Sequence, residues 1–92
     1  MIKMDFSLVA RTIQPILYGF LRKRFDKISE DEIIRYADNT HTAFGQSVKE
    51  LRKSLSRDDA QQAWFYMEEI RKGSTTLLAA MDALEDKFKG RL

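Results

Sequence analysis

The most regular feature of the chain is a three-four alternation in its second half, running Ala60, Ala63, Met67, Ile70, Ser74, Leu77, Met81, Leu84 and Phe88. This is the heptad rhythm of a helix whose one face lies against another helix. Lys72-Gly73-Ser74 has the composition of a helix stop and restart, yet the rhythm crosses it without a slip. The spacing therefore predicts one helix of about 32 residues, with Gly73 as a weak point inside it. Its start is expected near Arg57, because Ser56-Arg57-Asp58-Asp59 sets a capping hydroxyl three residues before an acid.

The same rhythm marks a second helix upstream, through Ile34, Ala37, His41, Phe44, Val48, Leu51 and Leu55. It should begin near Glu30, behind the capping box Ser29-Glu30-Asp31-Glu32, and end at Leu55. Asp38-Asn39-Thr40, a run of weak helix formers, is where it would kink or break. Two in-phase stripes joined at Ser56 read as an antiparallel helical hairpin. The N-terminal segment adds Phe6, Val9, Ile13, Ile16 and Phe20 in helical phase, widened by Leu8, Leu17, Leu21 and Phe25. Pro15 should either kink this element or open a helix that runs to Phe25. The expected fold is all-α: a single domain over residues 1–92, built as a three-helix or split four-helix antiparallel bundle centred on a long helical hairpin.

Composition narrows the chemistry. The chain has no cysteine, which removes disulfides, thiolate metal sites and thiol nucleophiles and makes the cytoplasm the expected compartment. No apolar run of signal-peptide or membrane-spanning length follows the N-terminus, so no membrane partner is expected. The net charge of +2 is unevenly spread, since residues 1–28 hold six Lys/Arg against two Asp/Glu. Arg22, Lys23, Arg24 and Lys27 concentrate it, either as cations on the last turn of a helix or as a phosphate or nucleic-acid contact. Lys49, Arg52 and Lys53, with Lys87, Lys89 and Arg91, form two further basic groups that interleaved carboxylates dilute.

Catalytic constellations are sparse. His41 is the single histidine, there is no set of metal ligands at coordinating spacing, and no Gly-rich phosphate loop or nucleophile elbow occurs. Neither a cofactor nor a small-molecule substrate is implied. Within His41-Thr42-Ala43-Phe44-Gly45-Gln46-Ser47, the glycine four residues and the serine six residues after the histidine resemble the phosphoacceptor segment of histidine phosphotransfer domains. That resemblance implies a helical bundle with His41 as phosphoacceptor and Gly45 as the small neighbour that admits a receiver domain; the segment carries Phe44 where that family has lysine. The helical phase instead assigns His41 to a core-type position between Ala37 and Phe44.

Trp64-Phe65-Tyr66 is the other unusual feature, because three consecutive helical residues span about 200° and cannot all face one neighbour. Ala63 and Met67 should face the hairpin, Trp64 and Tyr66 flank that line, and Phe65 point away from it. Either the N-terminal helix covers Phe65 or the aromatic group anchors a partner. The function expected from the sequence is a non-catalytic helical interaction module or accessory subunit, binding a protein or a second copy through Trp64, Phe65 and Tyr66. The alternatives are a nucleic-acid-associated subunit using the basic N-terminal third and phosphotransfer at His41.

Overall fold

The structure, a computed structural model, describes residues 6–91, with side chains from Gln14 onward. Three helices fill this span: α1 (Phe6–Phe25), α2 (Glu30–Ser56) and α3 (Ala60–Phe88), followed by one 3-10 turn at Lys89–Arg91. The expected all-α class is what is found. The expected Phe6, Val9 and Ile13 contacts lie outside the described side chains.

Local chemistry sets the ends of the helices. The Ser29 hydroxyl accepts from the Glu32 N–H, with Glu30, Asp31 and Glu32 in the first turn, where negative charge meets the positive end of the helix dipole. At the other end α2 runs one residue past its expected stop, and Ser56 turns its hydroxyl back to the Lys53 carbonyl. The cap of α3 is therefore Asp59, whose carboxylate accepts from the Gln62 N–H, and not Ser56. Between them Asp58 takes the left-handed conformation at φ 54°, and the Asp59 N–H reaches back to the Ser54 carbonyl, a Schellman-type stop. The capping-box spacing pointed to the right turn and the wrong residue, because Asp59 competes with Ser56 as an N-cap.

None of the three suspected breaks interrupts a helix. α1 continues through Pro15, α2 through Asp38-Asn39-Thr40 and α3 through Gly73. Thr40 and Thr42 return their hydroxyls to the Tyr36 and Asp38 carbonyls, which satisfies them without leaving the helix. Gly73 lies against α2, where an added Cβ would meet the Phe44 ring edge at 3.4 Å and the Thr40 methyl at 3.8 Å, both close to ordinary contact. Gly73→Ala should thus stabilise the protein by up to about 1 kcal/mol through helix propensity. A urea midpoint at or below wild type would show that Phe44 does not yield.

The contacts of α3 give the arrangement. Arg91 after its end pairs with Glu30 at the start of α2, and Gly73 in its middle meets Phe44 and Thr40 in the middle of α2, so the two helices are touched in opposite order. Tyr18 bonds Asp82 and Arg22 bonds Asp86, so α1 is touched in the same order as α3. Leu21, Phe25, Ile33, Ala37, Ala79, Ala80, Ala83 and Leu84 form the core where all three helices meet.

The buried line differs from the expected stripes by one residue. On α2 the inward positions are Ile33, Ala37, Thr40, Phe44, Ser47, Leu51 and Ser54; Ile34, His41, Val48 and Leu55 are exposed. On α3 the inward line is Ala63, Tyr66, Ile70, Gly73, Leu77, Ala80 and Leu84, while Ala60, Ser74, Met81 and Phe88 are exposed. On α1 the inward face is Leu17, Leu21 and Phe25, and Ile16 and Phe20 face solvent. The cause is shared by α2 and α3. Each helix carries small or hydroxyl-bearing residues at alternate buried positions, and more apolar residues one step further round.

Candidate interaction surface

Residues at the start of α3 make the aromatic site. Ala63 turns inward and is buried, which forces the next residues outward around the helix. Trp64, Tyr66 and Met67 are half-buried and Phe65 is 56% exposed. The Phe65 and Tyr66 rings meet edge to face at 5.1 Å, so Tyr66 props Phe65 from its inner side. The Arg71 guanidinium lies 5.6 Å from the Trp64 ring centre and binds Glu68 at 2.6 Å, fixing the neighbouring turn. A shallow depression beside Phe65 and Tyr66 is bounded by Asp59, Gln61 and Gln62. α1 docks on the far half of α3, around Asp82 and Asp86, and leaves Phe65 uncovered.

A second concavity of about 300 Å³ lies between α2 and α3, floored by Phe44 and Gly73 and edged by Tyr36, Asn39, Glu69 and Lys72. Glu69 and Lys72 pair with each other across one turn at 3.3 Å.

The basic cluster at the end of α1 is partly committed to the fold. Arg22 pairs with Asp86 and lies 3.7 Å from Asp26, and Arg24 sits over the Tyr36 ring at 5.6 Å. The Asp86 carboxyl is held below the usual carboxylate range by its hydrogen bond from Arg22, and the Arg22 guanidinium is correspondingly raised. Tyr18 is raised because its hydroxyl donates to Asp82. Lys23 and Lys27 are exposed at the same end, next to Asp26, Glu30, Asp31 and Glu32. The field there alternates in sign and does not form a uniform anion-binding stripe.

His41 is exposed, which corrects the core position that the helical phase assigned to it. Gly45, one turn on, has nothing within 4 Å of where a Cβ would sit, while Phe44 is turned against Gly73. Around the histidine on its own edge of α2 stand Ile34 and Val48, both exposed. Among the described residues there is no cluster of three metal-ligating side chains, and no helix is long and apolar enough to cross a membrane. Comparison with known protein families, curated proteins and solved structures finds no match to this chain.

Proposed function

We propose that the chain is a non-catalytic helical interaction module or accessory subunit of the cytoplasm. In this reading residues 1–92 form one domain, an antiparallel three-helix bundle that presents Trp64, Phe65 and Tyr66 to a protein partner. The observation that carries it is Phe65, a large apolar side chain 56% exposed on an ordered helix and braced by a neighbouring ring. Rigid aromatic anchors give large contact area at small entropic cost, which is why they dominate binding hot spots.

Phe65→Ser tests it. Partner proteins retained by the immobilised wild-type chain should be lost by the variant, and a purified partner should bind it at least tenfold more weakly, about 1.4 kcal/mol. Helix content and urea stability should stay within about 0.5 kcal/mol of wild type, as for an exposed residue away from the core. Unchanged binding removes Phe65 from the interface, and an unfolded variant makes it part of the core.

A further inference from the structure

The exposed residues one step round from the buried lines are evenly spaced. On α2 they are Ile34, His41, Val48 and Leu55, and on α3 Ala60, Met67, Ser74, Met81 and Phe88, each seven residues after the last. Their large apolar members are between 37% (Val48) and 64% (Leu55) exposed, apart from Met67, which is half-buried. In heptad terms both sets sit at the e position, and two helices running in opposite directions bring their e positions to the same edge of the interface. α1 touches α3 through Tyr18, Arg22 and the buried Ala79 and Ala83, on its other side. The hairpin therefore has a long flank, turned away from α1, with apolar groups at heptad intervals.

This flank is related to itself by a half-turn. His41 and Ser74 lie level with each other, since the neighbouring Gly73 sits between Thr40 and Phe44. Rotation by 180° about the line joining them carries Ile34 onto Val48, Met67 onto Met81 and Ala60 onto Phe88. It also brings Asp31, ten residues before His41 on the outer rim of α2, to within one residue of the level of Arg52, eleven residues after His41 on the same rim. Ile34, Val48, Ala60, Met67, Met81 and Phe88 thus fall on apolar groups, the polar centre on itself and a carboxylate beside a guanidinium, while Leu55 falls beyond the start of α2 and stays outside the contact. Arg52 forms no ion pair within the chain among the described residues, and neither does Asp31.

We propose that the occupant of this flank is a second copy of the chain, packed face to face about a two-fold axis through His41 and Ser74. The mapping is that of an isologous interface, in which the same patch serves both partners and residue i meets j as j meets i. Each hairpin then contributes two helices to a four-helix contact, with α2 opposite α2 and α3 opposite α3. The central His41 and Ser74 set the register, as single polar residues do in coiled coils. Asp31 of each copy meets Arg52 of the other at the two ends of α2. The surface is separate from Phe65, which lies on the α1 side of α3, so the two proposals fail independently.

The test is the solution mass of the full chain across protein concentrations, by sedimentation or light scattering. The wild type should dimerise. Met81→Glu should weaken association at least tenfold, and so should Arg52→Glu alone. Asp31→Lys combined with Arg52→Glu should bring it back to within threefold of wild type. Helix content and urea midpoint, measured on each variant, separate lost association from lost folding, and the charge pair stands as evidence even where Met81→Glu is unstable. A chain that stays monomeric at every concentration overturns the proposal and leaves the flank to a helix of another protein. A dimer indifferent to Met81 and to the charge pair, or one that Met81→Glu dissociates but the charge reversals do not move, overturns it as well.

Discussion

Phe25→Ala is expected to cost about 3–5 kcal/mol. Among the described residues Phe25 and Ile33 are the large side chains with no exposed surface. Phe25 sits where the last turn of α1 meets both other helices, packed with Ile33, Ala37, Ala80 and Leu84 and edge to face with Tyr36 at 5.2 Å. Its removal leaves a cavity that the surrounding alanines, already at their smallest useful size, cannot fill. A domain of this length has a total stability of about 5–14 kcal/mol, so the loss consumes a large part of it. Urea unfolding followed by circular dichroism and by the single tryptophan, Trp64, should give a lower midpoint with an unchanged slope. Trp64 lies far along α3 from Phe25, so a probe there reports cooperative loss of the whole fold. A cost below about 1 kcal/mol would mean that α1 does not dock as described. The contrast with Phe65→Ser, two phenylalanines with opposite expected consequences, is a direct check on which aromatic is core.

Much of this fold was legible in the sequence, and the part that was not has a specific cause. Helix type and approximate ends follow from periodicity and from the Ser29 cap, because these are local, while the choice between three helices and a split four does not, since Pro15 and Asp38-Asn39-Thr40 read as possible breaks. The unbroken passage of α3 through Gly73 followed from the phase. The register of the buried face did not. The sequence stripe runs through Ala37, Phe44 and Leu51 together with Ile34, His41, Val48 and Leu55, whereas the fold turns the first three inward with Thr40, Ser47 and Ser54 and leaves the other four exposed. Threonine and serine read as polar, but in a helix their hydroxyls can return to the preceding turn. Ser54 donates to the Glu50 carbonyl at 2.8 Å and the buried Thr75 to the Arg71 carbonyl at 3.0 Å, and no buried side-chain polar atom among the described residues lacks a partner. Hydrophobicity alone could not separate a stripe that packs within the chain from one that remains outside it. The same error misplaced His41. Of the aromatic triplet only the place of Phe65 agrees, exposed and off the hairpin line, because three consecutive residues diverge round a helix in any register; Tyr66, expected beside that line, lies on it, and Met67, expected on it, stands one step round.

Ala83→Leu should destabilise the protein by about 1–3 kcal/mol, although it adds apolar volume to a core. Ala79, Ala80 and Ala83 have no exposed surface, and they are what allows α1 and α2 to approach α3 closely from two sides. Ala83 follows directly after Asp82, the carboxylate that binds Tyr18, and precedes Asp86, which binds Arg22. Three extra carbons at this point must displace either α1 or α2. α1 is the one expected to yield, because α2 meets α3 at Gly73 and is joined to it through the tight turn at residues 57–59. Lifting α1 would open the Arg22–Asp86 pair, and with it the cause that holds the Asp86 carboxyl low. The measurement is urea unfolding beside native-state hydrogen exchange. The variant should lose protection in α1 while the Leu51 to Ala63 end of the hairpin keeps it. Ala43→Leu, on the exposed edge of α2, adds the same volume and should change stability by no more than about 0.5 kcal/mol. Equal losses at the two sites would show that packing at Ala83 is no tighter than at the surface. Stabilisation at Ala83 would mean that the three alanines leave space between α1 and α3.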